Sequence, residues 1–467
     1  MISVTGKSWT QQKVNKNLVE KVKQDYGLSY ILSHLIISRN YDFSEIYSIN
    51  NSQKLTNIFK DDLDYQKASF ILLDVIKNKE NICILGDYDV DGSCATSLLV
   101  RYFNHINQQH FFYIPDRVKD GYGASKKLFQ KLILKKPKLI IMVDCGSTNI
   151  EAINYLNKNN IKSLIIDHHE INKPYPRANV IINPKKGNDY SEYNYLCATT
   201  LTYFFLELLS KNIKSKFILS KYLIYVLLAT VCDVMPLRRL NRLICIKVLS
   251  EFDITNNIAF KELYNLSNEK KNFNISDFGY LIGPILNAGG RLGKSNYATE
   301  LLSSNNQALI KKRSSQLFDL NNKRKMIETN LLENICFTRL KKENKEIIIH
   351  YDHSINEGLI GIIAARLTDY FNKPSIVITN SNNLLKGSAR SIHNYNIGRV
   401  IKNLSDHNII LNGGGHSMAA GFTLVKENLS LFRNFVVKDF LKNKSLINHG
   451  FTYDSEISQA SFNQNFY

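Results

Sequence analysis

Three short apolar runs in this chain each stop at acidic or imidazole side chains. The first, Ile82-Cys83-Ile84-Leu85, runs through Gly86 into Asp87-Tyr88-Asp89-Val90-Asp91-Gly92. The second, Ile140-Ile141-Met142-Val143, leads into Asp144-Cys145-Gly146, and the third, Leu164-Ile165-Ile166, into Asp167-His168-His169. Apolar runs of this length read as buried strands of a parallel sheet. Open parallel sheets gather ligands at the carboxyl ends of their strands, so the three groups are expected on one edge. Asp233 closes a fourth apolar run, Ala229-Thr230-Val231-Cys232, and a buried carboxylate there needs a partner.

Carboxylates with one or two imidazoles suit Mn²⁺ or Mg²⁺ better than zinc. Two such ions sharing a site lower the pKa of water and stabilise the charge of an in-line displacement at phosphorus. Asp144 is the candidate to bridge them. Any single Asp here also fits a helix N-cap, Asp91 in particular, because Gly92 and a helix follow it.

The surrounding pattern is α/β. Residues 1–50 form a lead-in of short amphipathic helices. From 51 to 250 apolar strands (81–86, 110–114, 138–143, 162–166) alternate with helical periods at Thr96 to Phe103 and Lys127 to Leu134, as in a parallel-sheet domain. Pro115, Gly121, Gly123, Pro174 and Pro176 mark loops. Residues 251–345 read as a helical connector. Its stripe of Leu317, Leu320, Ile327, Leu331 and Ile335 is amphipathic, and Lys323, Arg324 and Lys325 are expected on a solvated face. A smaller α/β unit follows at 346–440, with strands at Ile347–Ile349 and Ser375–Ile378 around a helix from Gly361 to Tyr370. The tail 441–467 is polar.

Composition sets outer bounds. With 467 residues the chain holds two or three domains with cores of their own. Its seven cysteines are scattered with no CxxC pair, against zinc sites and disulfide frameworks and in keeping with a reducing cytoplasm. The polar N-terminus has no signal-peptide core, and the longest apolar stretch, Tyr222 to Val231, is too short to span a bilayer. The net charge of +19 fits a protein that meets a polyanion. Drift toward Lys-rich, AT-rich codons gives the same excess, so charge alone leaves both readings open.

The motifs resemble the DHH phosphoesterase superfamily. Asp87 to Gly92, Val143-Asp144-Cys145-Gly146, Asp167-His168-His169 and Thr230-Val231-Cys232-Asp233-Val234-Met235-Pro236-Leu237 are similar to its four motifs in order. Ile114-Pro115-Asp116-Arg117 with Asp120-Gly121-Tyr122-Gly123, and Gly283-Pro284-Ile285-Leu286-Asn287-Ala288-Gly289-Gly290-Arg291-Leu292, resemble the RecJ exonuclease branch. Lys386-Gly387-Ser388-Ala389-Arg390-Ser391 and Gly414-Gly415-His416-Ser417-Met418-Ala419-Ala420-Gly421 resemble the accessory domain called DHHA1. The resemblance spans roughly residues 50–440 and implies a parallel-sheet DHH domain joined by a helical linker to a smaller DHHA1 domain.

It further implies an exonuclease that digests single-stranded DNA from the 5′ end with Mn²⁺ or Mg²⁺, in repair and recombination. Asp87, Asp89, Asp91, Asp144, His168 and Asp233 would ligate metal, Asp87 doing so or standing just behind the ligands. Asp167 would orient an imidazole. His169 would meet the scissile phosphate or assist proton transfer. Arg117, Arg291, Ser388 and Arg390 would hold the 5′-terminal phosphate, which guanidinium forks suit. His416, with Gly414 and Gly415 permitting close backbone approach, would contact DNA; a tight turn with a structural histidine is the alternative. Family analogy adds a single-strand binding protein and a helicase as partners.

Some positions depart from the family pattern. Ile285 stands where Arg is usual, Ala389 replaces a glycine, Asn356 replaces a His, and Leu196-Cys197-Ala198-Thr199-Thr200 replaces a glycine-rich stretch. An OB-type barrel follows the DHHA1 domain in bacterial relatives. Phe451 to Ile457 resembles its lead-in, so 441–467 is expected to be a truncated start of that region, with weaker grip and shorter-range digestion. Two other readings stay open: a DHH phosphoesterase of short oligoribonucleotides or small nucleotides, and a non-catalytic DNA-binding relative.

Overall fold

The structure, a computed structural model, describes residues 2–4, 8–50, 54–116, 120, 123–187, 191–251, 253–267, 273–335, 340, 345–381, 383–444 and 451–459. A short strand, β1 (Trp9–Gln11), precedes helices Lys16–Tyr26, Tyr30–Ser38 and Phe43–Asn50. Five strands then form one sheet: β2 (Ile82–Leu85), β3 (His110–Tyr113), β4 (Leu139–Val143), β5 (Lys162–Ile166) and β6 (Val180–Ile182).

Their order is β3-β2-β4-β5-β6, and every pairing is parallel. Residues alternate between two cores. Ile82, Ile84, Leu139, Ile141 and Val143 enter the larger one, while Cys83, Leu85, Ile140 and Met142 enter the other. Burial on both faces is why these strands read as unbroken apolar runs. The chain leaves β2 to one side for β3, then returns past it to β4. That reversal opens a crevice beyond the carboxyl ends of β2 and β4, the place where such sheets bind ligands. β6 follows a proline-rich loop and, at three residues, carries too little pattern to register as a strand in the sequence.

The second lobe holds β7 (Ile348–Tyr351), β8 (Ser375–Ser381), β9 (Leu384–Arg390), β10 (Asn412–Gly415) and β11 (Ala419–Leu424). Their order is β10-β11-β9-β8-β7; β7 and β8 are parallel and the remaining pairs antiparallel. The helix Gln307–Asn334 joins the lobes. Its Ile310 and Leu317 pack into the first lobe's core, whereas Ile327 and Leu331 pack against the second lobe's. At 28 residues it spans about 42 Å.

One expectation changes. Lys323 and Lys325 are exposed, but Arg324 is not on a solvated face. Its side chain is 12 % exposed, and it donates to Glu328 Oε2 at 2.8 Å. Glu328 also accepts from Arg366 Nε at 2.7 Å, on a helix of the second lobe. The periodicity of one helix cannot show a partner brought in by another. In the tail, β12 (Phe451–Tyr453) pairs in parallel with β1. Among the described residues no helix is long and apolar enough to cross a membrane.

Candidate metal centre and phosphate pocket

The carboxyl ends of β2, β4 and β5 deliver their polar residues to one place. Asp89 is the N-cap of helix Val90–His105, its Oδ1 accepting Gly92 N at 3.0 Å. Gly92 lets that helix start hard against Asp87, since a Cβ there would lie 2.6 Å from the Asp87 backbone. Asp91, whose alternative to metal ligation is an N-cap of its own helix, instead caps another helix. Its Oδ2 and Oδ1 accept the N–H groups of Ala198 and Thr199 at 2.7 and 2.8 Å, at the start of helix Ala198–Asn212. Asp144 adopts a left-handed backbone, φ 59°, immediately after β4. Asp233 ends helix Leu223–Cys232, and Val234 after it is also left-handed, φ 56°, which is unusual for a β-branched residue. Strain of this kind gathers at functional sites.

These residues converge on His168. Its Nε2 lies 3.3 Å from Asp144 Oδ1, 3.4 Å from Asp233 Oδ2 and 3.6 Å from Asp91 Oδ2. Three sets of side chains offer ligand atoms mutually within 4.8 Å: Asp87, Asp89 and Asp144; Asp144, His168 and His169; and Asp91, His168 and Asp233. Asp144 and His168 each belong to two sets.

The electrostatics call for cations. Asp87, Asp91, Asp144 and Asp167 are all at most 2 % exposed. Burial, then the charges of Asp89, Asp91 and Asp87, drives the Asp144 carboxyl far above its ordinary range. Among the described residues neither Asp144 oxygen has a hydrogen-bond partner. A buried carboxylate without a donor is costly, and a hard divalent ion supplies what is missing, so the donor set fits Mn²⁺ or Mg²⁺. Asp233 is pushed up to about 8 by burial, then by Asp91 and Asp89. Burial keeps His168 neutral, the form in which imidazole ligates.

Asp167 differs from the rest. Its Oδ1 accepts His168 N at 2.8 Å, His169 N at 3.2 Å and His169 Nδ1 at 2.8 Å, and its Oδ2 accepts Ser147 N at 3.1 Å. Burial works against its charge, yet His169 and Ser147 hold it well below the usual carboxylate range. In return, burial notwithstanding, Asp167 raises His169 to about 9. Asp167 is thereby committed to orienting His169.

A second group assembles in the other lobe. Helix Ile360–Phe371 begins without a side-chain cap, and Gly361 in its first turn sits against Ser388 and Arg390. A Cβ on Gly361 would lie 3.1 Å from Ser388 Oγ and 3.3 Å from Arg390 Nη2. Arg291, from the end of helix Gly283–Arg291, donates to Gly358 O at 3.1 Å just ahead of the same helix. Two guanidiniums, a hydroxyl and a helix N-terminus make an anion-binding arrangement. Arg117 lies outside the described residues. Arg291 also lines a cavity of about 200 Å³ with Cys232, Asn287, Arg324 and Ile362, between the lobes.

Gly414 and Gly415 belong to β10, the exposed edge strand, rather than to a tight turn. His416 follows on the hairpin. Burial, then the Lys185 charge, lowers its pKa. Sequence reasoning missed Asn183 and Lys185. They follow Val180-Ile181-Ile182 at the same edge, a run too short to register as a strand in the sequence.

The two lobes coincide with two family models, the DHH family N-terminal domain over residues 81–230 and the DHHA1 domain over 344–443. The chain is 30 % identical over 478 aligned residues to the single-stranded-DNA-specific exonuclease RecJ of Haemophilus influenzae, spanning 96 % of this chain and 82 % of that one. Bacillus subtilis RecJ is 28 % identical, with 91 % of this chain aligned to 54 % of its length. Among solved structures, Thermus thermophilus RecJ in complex with Mn²⁺ superposes with a TM-score of 0.80 at 20 % identity, covering 96 % of this chain and 64 % of that one. The fold and centre are those of a DHH phosphoesterase with a DHHA1 domain. Within that class the chain belongs to the RecJ family.

Proposed function

We propose that this protein is a metal-dependent exonuclease that hydrolyses phosphodiester bonds of single-stranded DNA from the 5′ end. The observation that carries the reading is Asp144, a buried carboxylate with no hydrogen-bond partner among the described residues, set among five carboxylates and two imidazoles. Asp87, Asp89, Asp91, Asp144, His168 and Asp233 would hold two Mn²⁺ or Mg²⁺ ions, with Asp144 shared. When bound, the ions supply Lewis acidity at phosphorus and make water a nucleophile at neutral pH. His169, kept protonated by Asp167, donates toward a phosphate oxygen or the leaving oxygen. Arg291, Ser388 and Arg390, with Arg117, hold the terminal phosphate; its extra charge distinguishes an end from an interior linkage. His416, Gly414 and Gly415 bear on the strand from the second lobe.

In this reading the protein acts in DNA repair and recombination in the cytoplasm, recruited by a single-strand binding protein and a helicase. The 1–50 segment, the 51–250 catalytic domain, the 251–345 connector and the 346–440 accessory domain divide the labour. The test incubates the protein and Mn²⁺ with 5′-phosphorylated single-stranded DNA, duplex DNA, short RNA and a nucleoside bisphosphate. Mononucleotide release from the single strand is expected, and Asp144→Ala should abolish it. Turnover confined to the bisphosphate or the short RNA would replace this reading with a small-substrate phosphoesterase.

A further inference from the structure

Lys185 stands at the mouth of the metal centre, and neither the family motifs nor the cluster accounts for it. It follows β6 in Asn183-Pro184-Lys185, at the sheet edge that carries the carboxylates. Asn183 fixes the position. Its Nδ2 donates to His169 O and to Ser147 Oγ, each at 2.9 Å, while its Oδ1 accepts Lys185 N at 2.8 Å. The lysine backbone is thus held in register with His169.

The ammonium turns inward. The Lys185 side chain is 12 % exposed, and its Nζ lies 3.2 Å from Oε1 of Glu170, whose own side chain is 43 % exposed. Most lysines keep their charge in water. Here the cation is the less exposed partner and its carboxylate the more exposed one. Its field reaches His168 and Asp233 in the centre and His416 on the opposite lobe. Lys185 thus follows Asn183, which is bonded to His169 O and Ser147 Oγ beside the centre.

We propose that Lys185 is a catalytic residue whose ammonium holds a non-bridging oxygen of the scissile phosphate. The assignment rests on reading the cluster as a phosphodiesterase centre. In the reaction a water oxygen bonds to phosphorus as the bond from phosphorus to the leaving oxygen breaks. One water proton goes to that leaving oxygen and the other to solvent. The non-bridging oxygens gain negative charge on the way, and a preorganised cation beside them acts mainly in the transition state. Glu170 parks the ammonium when no strand is present.

The test compares Lys185→Met, Lys185→Arg and Glu170→Gln on 5′-phosphorylated single-stranded DNA with Mn²⁺. Lys185→Met should lower kcat by roughly 10- to 100-fold, with KM changed by less than about threefold. Its melting temperature should still rise on adding Mn²⁺, which shows an intact centre. Lys185→Arg keeps a cation and should recover much of the loss, and Glu170→Gln should keep more than about a third of wild-type kcat. A Lys185→Met enzyme within about twofold of wild type would overturn the proposal. So would a Glu170→Gln enzyme as impaired as Lys185→Met, because the lysine would then serve only to anchor the loop beside His169. Asp144→Asn run in parallel separates the two levels. If it stays active, the metal reading falls; if it is dead while Lys185→Met is unimpaired, only the lysine assignment falls.

Discussion

Two aspartates of the centre, Asp91 and Asp144, are equally buried but differently placed. Asp91 is bonded to two backbone N–H groups of a distant helix, and Asp144 to none. Asp91→Ala should therefore cost about 2–3 kcal/mol of stability in urea unfolding without metal, through the loss of two charge-assisted bonds at a helix start. Asp144→Asn should stabilise the metal-free protein, because it removes an ionisable group whose charged form is opposed by burial and by four neighbouring carboxylates, Asp89, Asp91, Asp87 and Asp167. Both should lose the rise in melting temperature that Mn²⁺ gives the wild type.

The pH response follows from the same groups. In the metal-free protein Asp233 stays protonated up to about 8, whereas unfolding lets it ionise near 3.8. The unfolded state then binds fewer protons, so metal-free stability falls as pH rises across that window. His169 acts in the same direction: raised to about 9 by Asp167 against the pull of burial, it lends stability that is full below 6.5 and lost as pH rises through 9. Metal needs the ionised carboxylate, so Mn²⁺ should raise the melting temperature more at pH 8.5 than at pH 6. Thermal scans at both pH values, with and without Mn²⁺, check this. At the residue scale the sequence shows which side chains reach the centre, because strand ends expose them. It does not show that Asp91 has a second task, since Ala198 and Thr199 are more than 100 positions away.

Elements, rather than residues, make the proposed phosphate pocket. Helix 360–371 supplies an uncapped N-terminus, β9 supplies Ser388 and Arg390, and Gly361 lets the two touch. Gly361→Ala adds a methyl at 3.1–3.3 Å from those groups and must displace them slightly. Helix stability should hold or improve, as alanine favours helix over glycine by about 1 kcal/mol. The preference for 5′-phosphorylated over 5′-hydroxyl ends should fall several-fold, read from initial rates on the two substrates. Sequence periodicity locates helix 360–371 and β8 well, because both pack one clear face. It is silent on β6 and β12, three residues each, and on the glycine-rich β10, which has no side chains to alternate.

At the scale of the whole molecule the lead-in is tied to the catalytic lobe beside the centre. Arg238, five residues after Asp233, donates to Glu45, whose side chain is 2 % exposed, and to the carbonyls of Arg39 and Asn40 at 3.1 and 3.0 Å. Against the cost of burial, Arg238 holds Glu45 below its ordinary pKa. Its stabilising effect is present above the ordinary glutamate range and is lost as pH falls through the lowered value. Glu45→Ala strands a half-buried guanidinium and should destabilise the protein by roughly 3 kcal/mol, measured by urea unfolding at neutral pH. The α/β class and the two-lobe order are visible in the sequence as alternating runs. How the lead-in and the connector grip both lobes is not, because Glu45–Arg238 and Glu328–Arg366 join side chains that no local pattern links.

The hold of Asp91 on the 198–212 helix also bears on descent. A lineage that gave up metal chemistry would feel no folding pressure to keep Asp144, and its stability would gain from losing it. The same lineage could not discard Asp91 without loosening the first turn of a core helix. Among inactive descendants of such a fold, the aspartate at position 91 should outlast the one at 144. An intact Asp-x-Asp-x-Asp-Gly run is then weak testimony of a working nuclease, and a missing Asp144 is strong testimony against one.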